Sequence, residues 1–240
     1  IVNAVAPTIK TQPTSTKTTY SQGDTPSAIT VSATSGDGGT LSYQWYSNST
    51  NSTTGGTSIN GATSSSYSPS TATIGTTYYY VIIKNTNNSV TGTKTASVTS
   101  EAIAVTVNTP VYGISISTFT GGSITASSPS SSDGKSVPSG ETVTLSITTQ
   151  TGYVLKSIQV LRTSNLSTIV SLSGSGNTTG STRTFTMPNY GVTVTATFGY
   201  SDNQTIVNNA KATIENSSFV LTQSEAYDDA TLNAALLAKI

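Results

Sequence analysis

Short runs in which apolar and polar residues alternate, each closed by glycine, proline or asparagine, dominate this sequence. Residues 140–147 (Gly-Glu-Thr-Val-Thr-Leu-Ser-Ile) are the clearest example, and residues 28–33 repeat the pattern. Alternation with a period of two is typical of a strand that buries one face. Turn residues at close intervals between such strands are typical of sandwiches and barrels. The chain is therefore predicted to be mainly β.

The surface of these sheets is expected to carry hydroxyl groups rather than charges. Only 8% of the residues are charged, whereas an average soluble domain has about 25%; 88 residues are Ser or Thr, and the ten basic and ten acidic residues cancel. The absence of Cys and His removes disulfides, thiolate chemistry and the common zinc ligands. We therefore expect no cofactor, no metal and no nucleic-acid partner. We also expect no membrane insertion, because no apolar run approaches about 20 residues.

Proline-containing junctions divide the chain into segments. Residues 105–110 end in Val-Asn-Thr-Pro, and residues 1–7 have the same form, a strand that runs into a proline. We interpret residues 1–6 as the end of a preceding domain with its linker, followed by domains at 7–108 and 109–200. A native mature N-terminus is the alternative. Residues 201–240 form a third segment.

The first domain contains motifs of a known family. They are Leu-Ser-Tyr-Gln-Trp-Tyr at 41–46, Gly-Thr-Thr-Tyr-Tyr-Tyr-Val-Ile-Ile-Lys-Asn at 75–85 and Pro-Thr-Ile-Lys-Thr-Gln-Pro at 7–13. With these motifs the segment resembles bacterial immunoglobulin-like domains. The resemblance implies a β-sandwich with Trp45 buried between the sheets. It also implies that Val31 and Val81 occupy the positions of the inter-sheet disulfide and that Tyr79 is the corner tyrosine.

The second domain carries a different series of motifs. A Gly-Gly hairpin at 121–122 is followed by Gly-Glu-Thr-Val at 140–143, Gly-Tyr-Val-Leu-Lys-Ser at 152–157 and Phe-Thr-Met-Pro at 185–188. In this order the segment resembles the divergent internalin-type B-repeat, which implies a small, separate β domain from a bacterial surface protein. Alternation predicts that its core contains Ile114, Ile116, Val143, Leu145, Ile147, Leu155, Ile158, Phe185, Val192, Val194 and Phe198.

The period changes in residues 201–240, where apolar residues recur at helical spacing behind a potential cap at Asp202. We predict a short α-helical segment that opens a further domain. Its apolar stripes are expected to pack on the second domain or on a neighbouring copy, through Ala210, Ile214, Leu232 and Leu236. The alternative is a segment that is helical only within a longer domain.

No combination of residues predicts catalysis. The ten acids are scattered over turns and strand ends, and the adjacent pair Asp228 and Asp229 is explained by a helix N-terminus. A serine nucleophile would have no histidine base. Asp37 lies in a glycine-rich turn, but a single carboxylate is a poor ligand set for calcium. We expect neither an enzyme nor a metal site.

Aromatic residues are the remaining candidates for binding. Trp45 is expected in the core, whereas Tyr78 and Tyr80 lie on the opposite strand face from Tyr79 and are weak candidates for a ligand surface. The favoured function is a non-catalytic extracellular spacer or adhesion segment of a multidomain bacterial cell-surface protein. The alternatives are a self-associating subunit of a filament or surface layer, and a carbohydrate-binding module of a secreted enzyme. The partners would be a cell-surface glycan or protein, or neighbouring copies.

Overall fold

The computed structural model describes residues 1–202 together with residues 208, 209 and 212. The chain divides into two compact units, Ile1–Pro110 and Val111–Ile240. The predicted helical stripes, including Ala210, Ile214, Leu232 and Leu236, lie outside the described residues. The first unit is described completely.

The first unit contains nine strands within its described residues 1–110. They are β1 (Thr8–Thr14), β2 (Thr19–Ser21), β3 (Ile29–Thr34), β4 (Thr40–Asn48), β5 (Thr57–Ser58), β6 (Ser66–Tyr67), β7 (Gly75–Thr86), β8 (Thr95–Thr99) and β9 (Ile103–Asn108). One sheet has the order β1-β3-β6, and the other has the order β2-β9-β7-β4-β5, with β8 beside β7. Strands β2 and β9 are parallel, and the other pairs in this unit are antiparallel.

The long strand β7 is paired with two successive strands along one edge. Its first half, residues 75–79, pairs with β9, and its second half, residues 82–86, pairs with β8. Between them the Val81 N–H donates to the Ser100 hydroxyl (3.0 Å), and the Ser100 N–H donates to the Val81 carbonyl (3.0 Å). The buried serine therefore continues the hydrogen bonding where the partner strand changes.

Both sheets contribute to a single core in this unit, so they pack face to face as a sandwich. Trp45 on β4 is fully buried opposite Val81 on β7, and its indole Nε1 donates to the Ser64 carbonyl at 2.9 Å. A buried indole needs such an acceptor. The buried core residues are Tyr20, Ile29, Val31, Trp45, Tyr79, Val81, Ile83 and Val105.

Residues 1–6, which the sequence predicts to be a linker, are bound to the first unit. The Ala4 N–H donates to the Thr93 carbonyl and the Gly92 N–H donates to the Val2 carbonyl, both at 2.8 Å. The side chain of Asn3 accepts the Thr93 N–H at 2.8 Å. This segment therefore runs along the loop between β7 and β8 as part of the unit.

The described part of the second unit contains eight further strands. They are β10 (Val111–Ile116), β11 (Gly122–Ser127), β12 (Ser136–Pro138), β13 (Thr142–Thr149), β14 (Tyr153–Arg162), β15 (Ile169–Val170), β16 (Thr182–Thr186) and β17 (Val192–Tyr200). They form sheets of order β12-β10-β17-β14-β15 and β11-β13-β16. The buried core residues are Ile114, Ile124, Ala126, Val137, Val143, Leu145, Ile147, Leu155, Val160, Phe185, Met187, Val192, Val194 and Phe198.

The predicted hairpin at Gly121–Gly122 is wrong. Strand β10 pairs with β12 and β17, and β11 pairs with β13, so the chain passes from one sheet to the other at these glycines. Aromatic rings lie directly on the glycine backbone: a Cβ at Gly121 would be 2.1 Å from Tyr153, and one at Gly122 would be 2.4 Å from Phe198. Gly121 also has a φ of 86°, which favours glycine where the chain bends between the sheets, whereas Gly122 serves close packing.

A β-bulge at Lys156 explains how Leu155 and Ile158 both face the core although they are three residues apart. Leu155 pairs with Phe198 and Ser157 with Thr197, so Lys156 has no partner of its own in β17. Because of this extra residue, the side chains of Ile158 and Val160 point towards the core, as that of Leu155 does. Ile158, predicted as a core residue, is only partly buried and packs against the core from its margin.

Candidate functional site

Asp37, the weak calcium candidate, is instead held by hydrogen-bond donors. Its Oδ2 accepts the Val5 N–H at 2.9 Å, and its Oδ1 accepts the Asn85 side-chain N–H at 2.7 Å and the Gly39 N–H at 3.1 Å. These hydrogen bonds hold the pKa of the Asp37 carboxyl well below its usual value of 3.8, and the bond from the Val5 N–H has the largest effect. The carboxylate fastens the entering chain to the unit.

Asn85 is the centre of this arrangement. It is fully buried, and its amide group donates to both the Val5 carbonyl (2.9 Å) and Asp37. Its Oδ1 has no hydrogen-bond partner among the described residues and lies against Gly39, where a Cβ would approach within 2.2 Å. Only glycine fits at position 39 while Asn85 keeps this position. We refer to Val5, Asp37, Gly39 and Asn85 as the entry clip.

Glu141 and Asp133, in the second unit, are held by hydrogen bonds from nearby residues. Glu141 accepts the Ser130 hydroxyl at 2.6 Å and the Ser130 N–H at 2.7 Å, and these bonds lower the pKa of its carboxyl. Asp133 accepts from Ser131 and from the Lys135 N–H, which lowers its pKa in the same way. Within residues 1–202, 208, 209 and 212, no three acids converge as metal ligands. The pair Asp228 and Asp229 lies outside the described residues.

The prediction that Tyr80 lies at the surface is wrong, because it is only 3% exposed. Alternation places it on the outer face of its sheet, but the loop at 49–56 folds over that face. Its ring stacks on Tyr46 with the ring centroids 5.2 Å apart, and Gly56 lies against it so closely that a Cβ would be 2.8 Å away. Asn48 fixes the loop by donating to the Ser52 and Thr54 carbonyls.

Tyr78 lies on the same outer face and is partly buried, opposite Asn48 and Ala104. Tyr79 points inward as predicted from alternation. Thr77 lies two residues earlier on the same face of β7.

A groove opens at the end of the first sandwich where the inward column of side chains becomes polar. Ser47 follows Trp45 on the inner face of β4, and it pairs with Tyr79 on β7. Tyr67, on β6 of the other sheet, has its ring centroid 5.4 Å from that of Tyr79 and 6.0 Å from that of Trp45. The groove has a volume of about 420 Å³ and is lined by Ser47, Ser58, Ile59, Tyr67, Ser70, Thr73, Thr77 and Tyr79. We call it the tyrosine groove.

The tyrosine groove is uncharged. None of its described lining residues is acidic or basic. Burial raises the pKa of the Tyr67 and Tyr79 hydroxyls, so both stay protonated over the physiological range. Its polar groups are hydroxyls, each able to donate and to accept a hydrogen bond.

The sequence suggests Tyr78 and Tyr80 as surface residues and gives no indication of Tyr67. Tyr67 lies alone in a serine-rich stretch without strand alternation, so no local pattern predicts that it faces Tyr79. The one available signal is the presence of Ser47 and Thr77 at inward positions that otherwise carry apolar residues.

A family described as "Domain of unknown function (DUF8696)" matches residues 10–109. No curated protein has significant similarity to the chain. Among solved structures, a bacterial adhesin from Mobiluncus mulieris containing intramolecular disulfide, isopeptide and ester bond cross-links is 11% identical, with a TM-score of 0.39; the match covers 82% of this chain and 100% of that one. So low a TM-score does not establish a common fold.

Among the helical residues that the structure describes, none belongs to a segment long and apolar enough to cross a membrane.

Proposed function

We propose that this chain is a non-catalytic, extracellular spacer and adhesion segment of a multidomain bacterial cell-surface protein. The observation that carries the proposal is the succession of two β units along the chain, each with its own buried core. Such independent modules add length to a protein without depending on a shared active site. A surface rich in hydroxyls and poor in charge suits a segment exposed outside the cell.

We propose that the first unit is an immunoglobulin-like module, and its strand arrangement supports this proposal. A three-stranded sheet faces a sheet in which the long β7 lies between β4 and β9. Immunoglobulin domains bury a tryptophan of one sheet against the bridge between the sheets. Here Trp45 belongs to one core cluster with Val31 on β3 and Val81 on β7. We propose that the second unit is a B-repeat, and the support for this is its sequence motifs.

The immunoglobulin-like geometry is tested by restoring the bridge. The double variant Val31→Cys with Val81→Cys is expected to form a disulfide spontaneously and to stabilise the first unit by about 2–4 kcal/mol. Thiol titration and denaturant unfolding under oxidising and reducing conditions measure both effects. The pair Ile29→Cys with Val81→Cys, shifted by two residues, is the control and should stay reduced. Two free thiols in the first pair would contradict the assignment.

The extracellular setting is tested on the source cells. Antibodies against the whole chain are expected to label intact cells, and brief protease treatment of those cells is expected to remove the signal. A cytosolic enzyme released on lysis serves as the marker of leakage. Signal that is found only after the cells are opened would overturn the proposal.

The edges of the sheets favour a spacer over a self-assembling filament. Edge strand β1 contains Lys10 and Pro13 and has two irregularities in its register with β3. Edge strands β5 and β15 have two residues each. Short, irregular and charged edges resist pairing with another chain. Size-exclusion chromatography with multi-angle light scattering, run at several concentrations, is expected to give the monomer mass of 24.5 kDa, and a concentration-dependent polymer would favour the filament alternative.

A further inference from the structure

The tyrosine groove departs from the rest of the sandwich in the chemistry of its inner face. The inward-facing positions of β4 and β7 carry Trp45, Val81 and Ile83 in the core. Further along the same faces, towards the end of the sandwich, the inward-facing residues are Ser47 on β4 and Thr77 on β7. Large apolar residues at these two positions would extend the core. Small hydroxyl residues instead leave a space between the sheets, with Tyr67 and Tyr79 at its base.

Several hydroxyls of the groove have no hydrogen-bond partner among the residues that the structure describes. They are the side-chain hydroxyls of Ser47, Tyr67 and Thr73. These groups are therefore available to a ligand or to water. A volume of about 420 Å³ lies in the range typical of small-molecule sites.

We propose that the tyrosine groove binds a neutral saccharide. A sugar presents hydroxyls that both donate and accept, which match the Ser, Thr and Tyr hydroxyls of the rim. It also presents C–H surfaces, which pack on the aromatic ring of the partly exposed Tyr67. The absence of charge among the lining residues argues against sialylated, sulfated or phosphorylated ligands, which are bound through arginine, lysine or clustered backbone N–H groups.

The surrounding elements hold this site in place. Tyr67 is fixed from below by its ring contact with Trp45, and Ser47 and Tyr79 lie on paired strands of one sheet. The Ser70 hydroxyl accepts the Ala72 N–H at 3.2 Å and so shapes the loop that forms the outer wall. A groove that is formed before binding loses little conformational freedom when a ligand enters.

This inference deepens the proposed function, since a neutral glycan would be the target of the adhesion segment. Its failure is distinguishable from failure of the proposed function. Surface labelling of intact cells tests the setting without any ligand. A spacer that is displayed on cells and binds no glycan would refute the saccharide site alone.

The test uses the whole chain on an array of neutral and anionic glycans, followed by calorimetric titration with the neutral glycan that gives the strongest signal. Thr77→Val, Tyr67→Phe and Thr73→Ala each remove one hydroxyl and are expected to weaken binding roughly 2- to 10-fold. The double variant Thr77→Val with Tyr67→Phe should bind weakest. Thr95→Val, the same substitution on exposed strand β8, is the control and should bind as the unmodified chain does.

Three results would overturn the saccharide site: no neutral glycan bound at millimolar concentration, binding of anionic glycans only, or binding that the groove variants leave unchanged. Trp45 fluorescence reports whether each variant is folded, because Trp45 is the single tryptophan and is completely buried. Thr73 is exposed on a loop, so Thr73→Ala keeps the test valid if a substitution on the inner face disturbs folding.

Discussion

At the scale of single residues, the carboxylate of Asp37 in the entry clip attaches residues 1–5 to the first unit. Asp37 receives the Val5 N–H directly and orients Asn85, which in turn donates to the Val5 carbonyl. Both backbone groups of Val5 are thus satisfied by side chains rather than by a strand. From the sequence alone, an aspartate in a glycine-rich turn suggests a metal ligand. The hydrogen-bond donors that hold Asp37 could not be predicted, because they come from residues 32 positions earlier and 48 positions later.

Replacement of Asp37 is therefore expected to release residues 1–5 from the unit. In Asp37→Asn, one of the two carboxylate oxygens is replaced by an NH2 group, which cannot accept a hydrogen bond. Either the Val5 N–H or the Asn85 side-chain N–H then loses its acceptor. Amide hydrogen exchange at Ala4 and Val5 should become faster, by roughly fivefold or more. Asp133→Asn, a similar turn aspartate in the second unit, is the control and should leave exchange at these two amides unchanged. Equal protection in both variants would contradict the role of the clip.

The same carboxylate makes the attachment sensitive to acid. Because folding lowers the pKa of Asp37 below its usual value of 3.8, its stabilisation is complete above that value and is lost as the pH falls towards the folded-state pKa. Exchange protection at Val5 should be constant from neutral pH to about pH 5 and should decrease only below about pH 4. Loss of protection between pH 5 and 7 would indicate a different group.

At the scale of elements, alternation predicted most strands but not the places where it is interrupted. The stretch 28–33 became β3 (Ile29–Thr34), and the run around Val81 became β7. The burial of Tyr80 escaped prediction, because it depends on a loop that folds over the outer face, and alternation reports only the strand's own two faces. The tyrosine groove escaped for a related reason: its two aromatic residues belong to different sheets.

The bulge in β14 gives a counterintuitive prediction about deletions. Removing Lys156 leaves Leu155 and Ile158 two positions apart, so both still face inward in a regular strand. Removing Gln159 instead turns the fully buried Val160 outward. We expect the first deletion variant to fold with a modest loss of stability and the second to lose the cooperative unfolding of its unit. Thermal unfolding by circular dichroism compares them, and equal damage from both deletions would contradict the bulge assignment.

At the scale of the whole molecule, the two cores are expected to unfold separately. Leu145→Ala should cost the second unit about 2–5 kcal/mol, because Leu145 is fully buried there. The Trp45 fluorescence transition should not change, since Trp45 reports on the first unit alone. Val81→Ala is the reciprocal variant and should shift the fluorescence transition. A fluorescence midpoint that moves with Leu145→Ala would show that the units are thermodynamically coupled.

The parallel pairing of β2 with β9 determines how the first unit would respond to tension. Thr106 N–H to Thr18 carbonyl (2.8 Å) and Gln22 N–H to Asn108 carbonyl (2.9 Å) bracket this pair. Because the strands point the same way and β9 leads directly out of the unit, a pull that reaches β2 through β1 is expected to slide one strand along the other. The hydrogen bonds cross the direction of sliding, so they would carry the load together instead of opening one by one.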